Sequence, residues 1–131
     1  IIAKKQLTKK NEEVVWIDVQ KFDENFAKDH ELYIGEEGKT KYDEVAPRYK
    51  GFQKFFKTTD LKIEMSQVHL RDDNYEAGTL TNDIKFTNGR NRYAYLREQG
   101  ARAIPMAVPA YCAKRMAELY GSDERETLIR K

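Results

Sequence analysis

Between Phe86 and Gly100 the chain reads Phe-Thr-Asn-Gly-Arg-Asn-Arg-Tyr-Ala-Tyr-Leu-Arg-Glu-Gln-Gly, and the first half of that run has the residue types that hold an anion. Asn88-Gly89 is a turn pair: glycine reaches positive φ at little steric cost and lets a ligand approach the backbone. If a helix starts directly after it, the first N–H groups of that helix lack an intrahelical acceptor and point at whatever sits beyond the turn. Arg90 and Arg92 add planar guanidinium forks at the same entrance, matched to bidentate pairing with phosphate oxygens. The chemistry implied is phosphate recognition by Asn88, Gly89, Arg90, Asn91 and Arg92. The same residues also describe an ordinary turn followed by a solvent-facing helix, and both readings stand at this level.

For the turn to present those groups, a strand must deliver it and a helix must leave it. Ile84-Lys85-Phe86 supplies the strand, and Tyr93, Tyr95 and Leu96 predict a helix from Arg90 to Gln99 that Gly100 ends as a C-terminal cap. Upstream, Val14 to Val19 reads as an opening strand after a polar leader. The acidic stretch from Asp23 to Glu37, closing in Gly35-Glu36-Glu37-Gly38, reads as a turn or loop. Apolar and aromatic residues at Tyr42, Val45, Tyr49, Phe52, Phe55 and Phe56 predict one helix beginning near Ala46 or Pro47. Leu61 to Met65 alternates as a strand, with the pattern reaching toward Leu70, and Arg71 to Asn74 reads as a turn. Ala103 to Pro109 is a short strand entered and left through prolines, which favour strand ends or sheet edges. Ala110 to Leu119 is an amphipathic helix closed by Gly121, and Ser122 to Glu126 would cap a last polar turn. The expected architecture is one compact mixed α/β domain over residues 14–121, with polar extensions at 1–13 and 122–131.

The run from Phe86 to Val108, strand, Asn-Gly-Arg-Asn-Arg-Tyr, helix ending in Gln-Gly, then Ala-Arg-Ala-Ile-Pro-Met-Ala-Val, resembles the core motif of the ParB/sulfiredoxin-like superfamily. The resemblance implies that family's fold and a phosphate or nucleotide site in which Gly89 is the box glycine and Arg92 the principal phosphate-binding arginine. It implies as ligand a nucleoside triphosphate with Mg²⁺, or the phosphates of DNA, and nuclease or nucleotidase activity. Three departures weigh against the family's chemistries. Arg90 stands where sulfiredoxins carry their cysteine, which argues against sulfinic-acid reduction. Asn91 replaces the usual histidine, and Asn88 stands where many relatives have an aspartate able to hold an arginine or a metal-bound phosphate. The helix-turn-helix region of segregation proteins also has no counterpart in the residues after Pro109.

Phosphoryl chemistry would need a carboxylate near the phosphate. Asp72 and Asp73 precede the box closely enough to fold back beside it, and Asp43 and Glu44 lie in the middle region; each has the alternative of a solvated loop or cap. His69, at the end of a strand-like pattern, is a candidate proton shuttle or a structural histidine. Arg48, Lys50, Lys54 and Lys57 interleave with aromatics, as a nucleic-acid-tracking face or as the wet side of a core helix. The single cysteine, Cys112, reads as a small buried hydrophobe, and with only His30 and His69 besides, no metal-ligand spacing is present.

At 131 residues the chain is long enough for one domain and a real core, and its 35% charged and 40% hydrophobic content places it with folded proteins. The net charge of +2 is too small to imply nucleic acid, but its distribution is uneven. Residues 18–47 carry nine acidic and four basic side chains, whereas residues 85–131 carry ten basic and five acidic, so an anion is drawn to the C-terminal third. No run approaches the roughly 20 apolar residues of a membrane span, and the first residues lack a signal peptide's apolar core, so a cytoplasmic protein without a membrane partner is expected. Two functions follow as expectations. One is a nucleotide- or DNA-phosphate-binding protein with nuclease or nucleotidase activity; in it Asp72, Asp73 and His69 are the catalytic candidates. The other is a non-enzymatic inhibitor or protein-interaction module, of a kind suited to a phage or mobile element.

Overall fold

The computed structural model describes residues 3–4, 11–44, 47–51, 63–74 and 79–125. In chain order its elements are β1 (Ala3–Lys4), β2 (Glu12–Asp18), α1 (Val19–Phe26), a 3-10 turn (Glu36–Gly38), α2 (described over 47–51), β3 (Ile63–Glu64), β4 (Gln67–Asn74), β5 (Thr79–Asn88), α3 (Arg90–Glu98), β6 (Ala103–Pro109) and α4 (Ala110–Tyr120). The main sheet has the order β2-β6-β4-β5, with β4 and β6 parallel and the outer pairs antiparallel; β1 and β3 form a separate parallel pair. The fold is mixed α/β, as the sequence implies.

Period-two alternation puts one set of side chains on the core face. Val15 stands opposite Met106, Ile17 opposite Ile104, and Leu70 opposite Ile84, all buried. Against them α1 packs Phe22, whose ring meets Phe86, Tyr93 and Tyr120 at centroid distances of 5.7, 5.0 and 6.2 Å. One aromatic side chain thereby joins α1 to β5, α3 and α4.

Helix α1 begins at Val19, the last residue expected in the opening strand, and runs into the acidic stretch from Asp23 that was expected to be a turn or loop. Asp18 is its N-cap, accepting from the Lys21 N–H at 3.1 Å, and Val19, Phe22 and Phe26 make a buried stripe at i, i+3 and i+7. The acidic composition of the stretch hides that stripe. A second difference lies at Arg71 to Asn74, which continues β4 as a strand rather than turning. Register shifts between Leu70 and Asp72 and between Asp72 and Asn74 absorb its polar sequence as bulges.

A third difference is that β6 lies inside the sheet despite Pro105 and Pro109. The Ala107 N–H reaches Ser66 O at 2.9 Å, so residues 105 and 109, two away on either side, direct their nitrogens to that same β4 side. There β4 pairs with β6 only at Gln67–Ala107, and the donors that prolines lack are not needed. The ladder to β2 runs through the alternate residues and stays whole.

The outer edge of β5 is closed by a side chain. Asn25 of α1 is buried, and its Oδ1 accepts the Ile84 N–H at 2.9 Å, satisfying a backbone donor that would otherwise invite another strand. Asn25→Ala should therefore lower unfolding free energy by about 1–3 kcal/mol in urea denaturation. It should also speed amide hydrogen exchange at Ile84 more than at the neighbouring Lys85.

Candidate functional site

Strand β5 carries the chain to Asn88, and the direction changes at Gly89, the residue before α3, with φ 88° and ψ 21°. That left-handed conformation suits glycine, and space also forbids a side chain. A Cβ there would lie 2.5 Å from Arg92 Nη2 and 2.7 Å from Ser66 Oγ. The Gly89 carbonyl accepts from Ser66 Oγ at 2.7 Å and from the Tyr93 N–H at 3.0 Å. Ser66 is itself buried, and its own carbonyl accepts the Ala107 N–H of β6. One serine thus ties the turn to an interior strand. Ser66 falls outside the sequence expectations, and its signal, a lone hydroxyl between two apolar-patterned segments, is weak.

No side chain caps the start of α3. The Tyr93 N–H is the first with an intrahelical acceptor, so those of Arg90, Asn91 and Arg92 point out of the helix start, where the helix dipole favours negative charge. In front lies a cleft of about 320 Å³ lined by residues 86–92 together with Leu32 and Arg48. Among the described residues its lining holds three arginines and no carboxylate. Arg90 Nη1 donates to Leu32 O at 2.7 Å, a bond to a neutral carbonyl that fixes the side chain and leaves its charge unneutralised. The Asn91 Oδ1 is enclosed without a hydrogen-bond donor among the described residues, so the site has unspent polar capacity. The five box residues expected from the sequence are therefore brought together around one opening.

Behind the cleft, α3 is held by a single carboxylate. Asp23 Oδ1 accepts from Tyr93 OH and from Arg97 Nη1, each at 2.8 Å, and Asp23 Oδ2 accepts from Tyr33 OH at 2.8 Å. Arg97 also donates to Gly35 O at 2.8 Å and lies over the Tyr33 and Tyr93 rings at 5.6 and 5.8 Å. Burial alone would lower the Arg97 pKa; the bonded carboxylate of Asp23 outweighs it and raises the value. Burial, reinforced by the Asp23 carboxylate, pushes Tyr33 up to about 12 and Tyr93 well above its ordinary value.

The remaining candidates are dispersed. The register sets Gln67 opposite Asn88 beside the turn and Asp72 opposite Leu80 toward the other end of the hairpin. Five residues of strand, about 16 Å at roughly 3.3 Å per residue, separate Asp72 from that end. Asp72 and Asp73 do not fold back beside the box, because the segment that holds them is strand and not turn. His69 is placed near it: Nδ1 lies 3.0 Å from Oγ1 of Thr87, which lines the cleft. Asp43 and Glu44 are exposed and outside the cleft lining, Asp43 closing a turn with Thr40. On α2, Tyr49 is fully buried while Arg48 and Lys50 are exposed; Lys54 and Lys57 lie outside the described residues. Cys112 is buried in α4, and burial pushes its thiol up, away from the reactive thiolate. Among the described residues no His, Cys, Asp and Glu cluster could hold a metal ion, and no helix is long and apolar enough to cross a membrane.

Comparison with known proteins gives one family and one solved relative. The family model described as plasmid fertility inhibition factor matches residues 14–121. A crystal structure of Oncogenic Suppression Activity Protein, described as a plasmid fertility inhibition factor and solved as a gold(I) cyanide derivative, has a similar fold. Its TM-score is 0.56 at 16% identity, and the likeness covers 87% of this chain and 59% of the other. No curated protein matches the chain.

Replacing Asp23 by Asn would take one of two carboxylates from the part-buried Arg97 guanidinium and leave it paired with Glu98, so Asp23→Asn should cost about 1–3 kcal/mol in urea denaturation. Glu31→Gln, at the exposed pair with Lys41, should leave the unfolding midpoint essentially unmoved. The raised tyrosines set an alkaline limit. A group that keeps its proton longer in the folded state stabilises fully below its ordinary value, near 10, and loses that contribution as pH rises through the folded value. Stability should hold to about pH 9 and fall between about pH 10 and 12, with a smaller fall in Tyr33→Phe, as followed by tyrosinate absorbance alongside circular dichroism.

Proposed function

The chain belongs to the plasmid fertility inhibition factor family, and on that premise we propose that it is a mobile-element protein that suppresses plasmid transfer by binding, with a phosphate of its target seated in the arginine cleft. The observation that carries the phosphate half of this reading is the convergence at one opening of the uncapped start of α3 and the side chains of Arg48, Arg90 and Arg92. Helix amides and guanidinium forks are complementary to an oxyanion, the tetrahedral phosphate among them. The phosphate is that of a nucleotide or of the DNA backbone, in keeping with the ParB/sulfiredoxin-like box that residues 86–108 resemble.

The inhibitory half of the reading fits the cleft's donor set. Its lining has cations and amides to hold a phosphate and, among the described residues, no carboxylate to activate water. An inhibitor needs affinity and orientation, and turnover would release what it is meant to hold. The protein partner in this reading is a component of the transfer apparatus that carries or handles the phosphate.

Amide NMR titration of the wild type and Arg92→Ala with ATP, CTP, GTP and a short DNA duplex tests the site, with and without Mg²⁺ at fixed ionic strength. Saturable shifts centred on Gly89 to Tyr93, lost in Arg92→Ala and partly kept in Arg92→Lys, are expected; a thermal melt of each variant separates lost binding from lost fold. In donor cells, expression should lower plasmid-transfer frequency, and Arg92→Ala should restore it. Transfer suppression that survives Arg92→Ala would detach the cleft from the inhibition. Nucleotide or DNA turnover abolished by the same substitution would move the protein to the enzymatic reading.

A further inference from the structure

The three arginines of the cleft reach it from two elements. Arg90 and Arg92 ride on the first turn of α3, directly after Gly89, whereas Arg48 comes from α2. Within the described part of α2, Pro47, Arg48, Lys50 and Gly51 are exposed and Tyr49 is fully buried. Arg48 therefore stands beside the side chain that anchors its helix, and the ring of that anchor lies on Gly38 of the 3-10 turn. We propose that the packing of Tyr49 on Gly38 sets where Arg48 stands relative to the start of α3, and with it the affinity of the cleft for a phosphate. This inference rests on the phosphate reading above and adds to it two positioning residues, Gly38 and Tyr49, that act through Arg48.

The seat exists because position 38 has no side chain. A Cβ there would overlap the Tyr49 ring, 2.6 Å from Cε1 and 2.7 Å from Cγ, with Cδ1 closer still. Non-bonded carbons pack at about 3.5–4.0 Å, so such an atom cannot be accommodated in place. Cγ is the ring atom bonded to the Tyr49 Cβ, and turning the far end of the ring does not clear it. A fully buried ring in a close-packed interior also has little room to swing aside. Any relief has to come from the backbone, either of the turn or of α2.

The turn is the less free of the two. The Gly38 N–H donates to Gly35 O at 3.2 Å, the Lys39 N–H to Glu36 O at 3.1 Å, and the Gly35 N–H to Lys39 O at 2.7 Å. The Gly35 carbonyl also accepts from Arg97 Nη2 at 2.8 Å, and Arg97 is bonded to Asp23. Earlier in the same loop the Leu32 carbonyl holds Arg90. The seat thus belongs to the frame that fixes α3, whereas the described part of α2 joins that frame through one buried side chain. A displaced Tyr49 moves α2, and the shift passes to residue 48 next to it while Arg90 and Arg92 stay in place. Guanidinium forks hold an oxyanion through short, directional bonds, so a small displacement of Arg48 loses its pairing with the ligand.

Inorganic phosphate is the probe, titrated by amide NMR at fixed pH and ionic strength into wild type, Arg48→Ala, Gly38→Ala and the double variant, with a thermal melt of each. Arg48→Ala should weaken binding about tenfold, and Gly38→Ala about threefold or more. In the Arg48→Ala background Gly38→Ala should cause no further loss, because the seat acts through the arginine. Gly100→Ala is the control for backbone strain: Gly100 has φ 89° against 81° at Gly38, but an added methyl meets open space. It should bind as wild type. Should Gly38→Ala fail to fold, Tyr49→Leu, which stays apolar but gives up the ring, takes its place in the same comparison. The inference is overturned, with the phosphate reading left standing, by any of four results: Gly38→Ala that binds as wild type, an equal loss with and without Arg48, an equal loss in Gly100→Ala, or full binding in Arg48→Ala. A folded wild type that binds neither phosphate, nucleotide nor DNA removes the phosphate reading itself.

Discussion

The carboxylate of Asp23 is the point on which the arrangement of the helices depends. It receives Tyr93 and Arg97, one turn apart on the same face of α3, and Tyr33 from the loop after α1. An i, i+4 pair fixed to one anchor leaves a helix little freedom to roll or slide, and Phe22, one residue before Asp23, packs on the Tyr93 ring. Polar and apolar contacts from adjacent positions of α1 therefore set the same helix. A buried ion pair is weak evidence for net stability, because the desolvation of both partners offsets much of the attraction. What it supplies is uniqueness: a displaced α3 would part Arg97 from Asp23 and leave it, among the described residues, only the Glu98 carboxylate that moves with the helix.

That fixed helix explains how an open cleft can be preorganised. Its rear is held by Asp23, its entry by Ser66 on the Gly89 carbonyl, and its rim by Arg90 on the Leu32 carbonyl. Each of these is a directional bond. Apolar packing, which fills the space around Phe22 and Phe26, does not extend into the turn, whose residues Thr87 and Asn88 are exposed. A site of the proposed kind, which admits a charged ligand, has to stay wet, and hydrogen bonds to backbone carbonyls position it without covering it.

The legible parts of the sequence were those governed by local rules. The turn at Gly89, the helix after it with its stop at Gly100, the strand from Ala103 to Pro109 and the helix closed by Gly121 all follow from backbone preference within a few residues. The parts that were not legible are settled by distant residues. Helix α1 is polar on its wet side, and its stripe of Val19, Phe22 and Phe26 gains meaning only from the aromatics of β5 and α3 that it meets. The extension of β4 through Arg71 to Asn74 depends on a partner strand, and the interior place of β6 on which side of it carries the missing proline donors. Of the site, the five box residues could be read from their spacing. Ser66, separated from Gly89 by 23 residues, and Asp23, separated from Arg97 by 74, could not, since no periodicity links them.

The two asparagines of the box bear on how such a site suits an inhibitor. A carboxylate at position 88 would partly neutralise the neighbouring arginines and offer a ligand for a metal-bound phosphate; the amide of Asn88 does neither. At position 91, an imidazole would titrate near neutrality, whereas the amide of Asn91 stays neutral. Asparagine at both positions offers the cleft amides in place of titratable groups. On the proposed reading this is the composition expected of a protein selected to hold a phosphate-bearing target, because the described lining offers cations and amides to bind it and no carboxylate to break a bond in it.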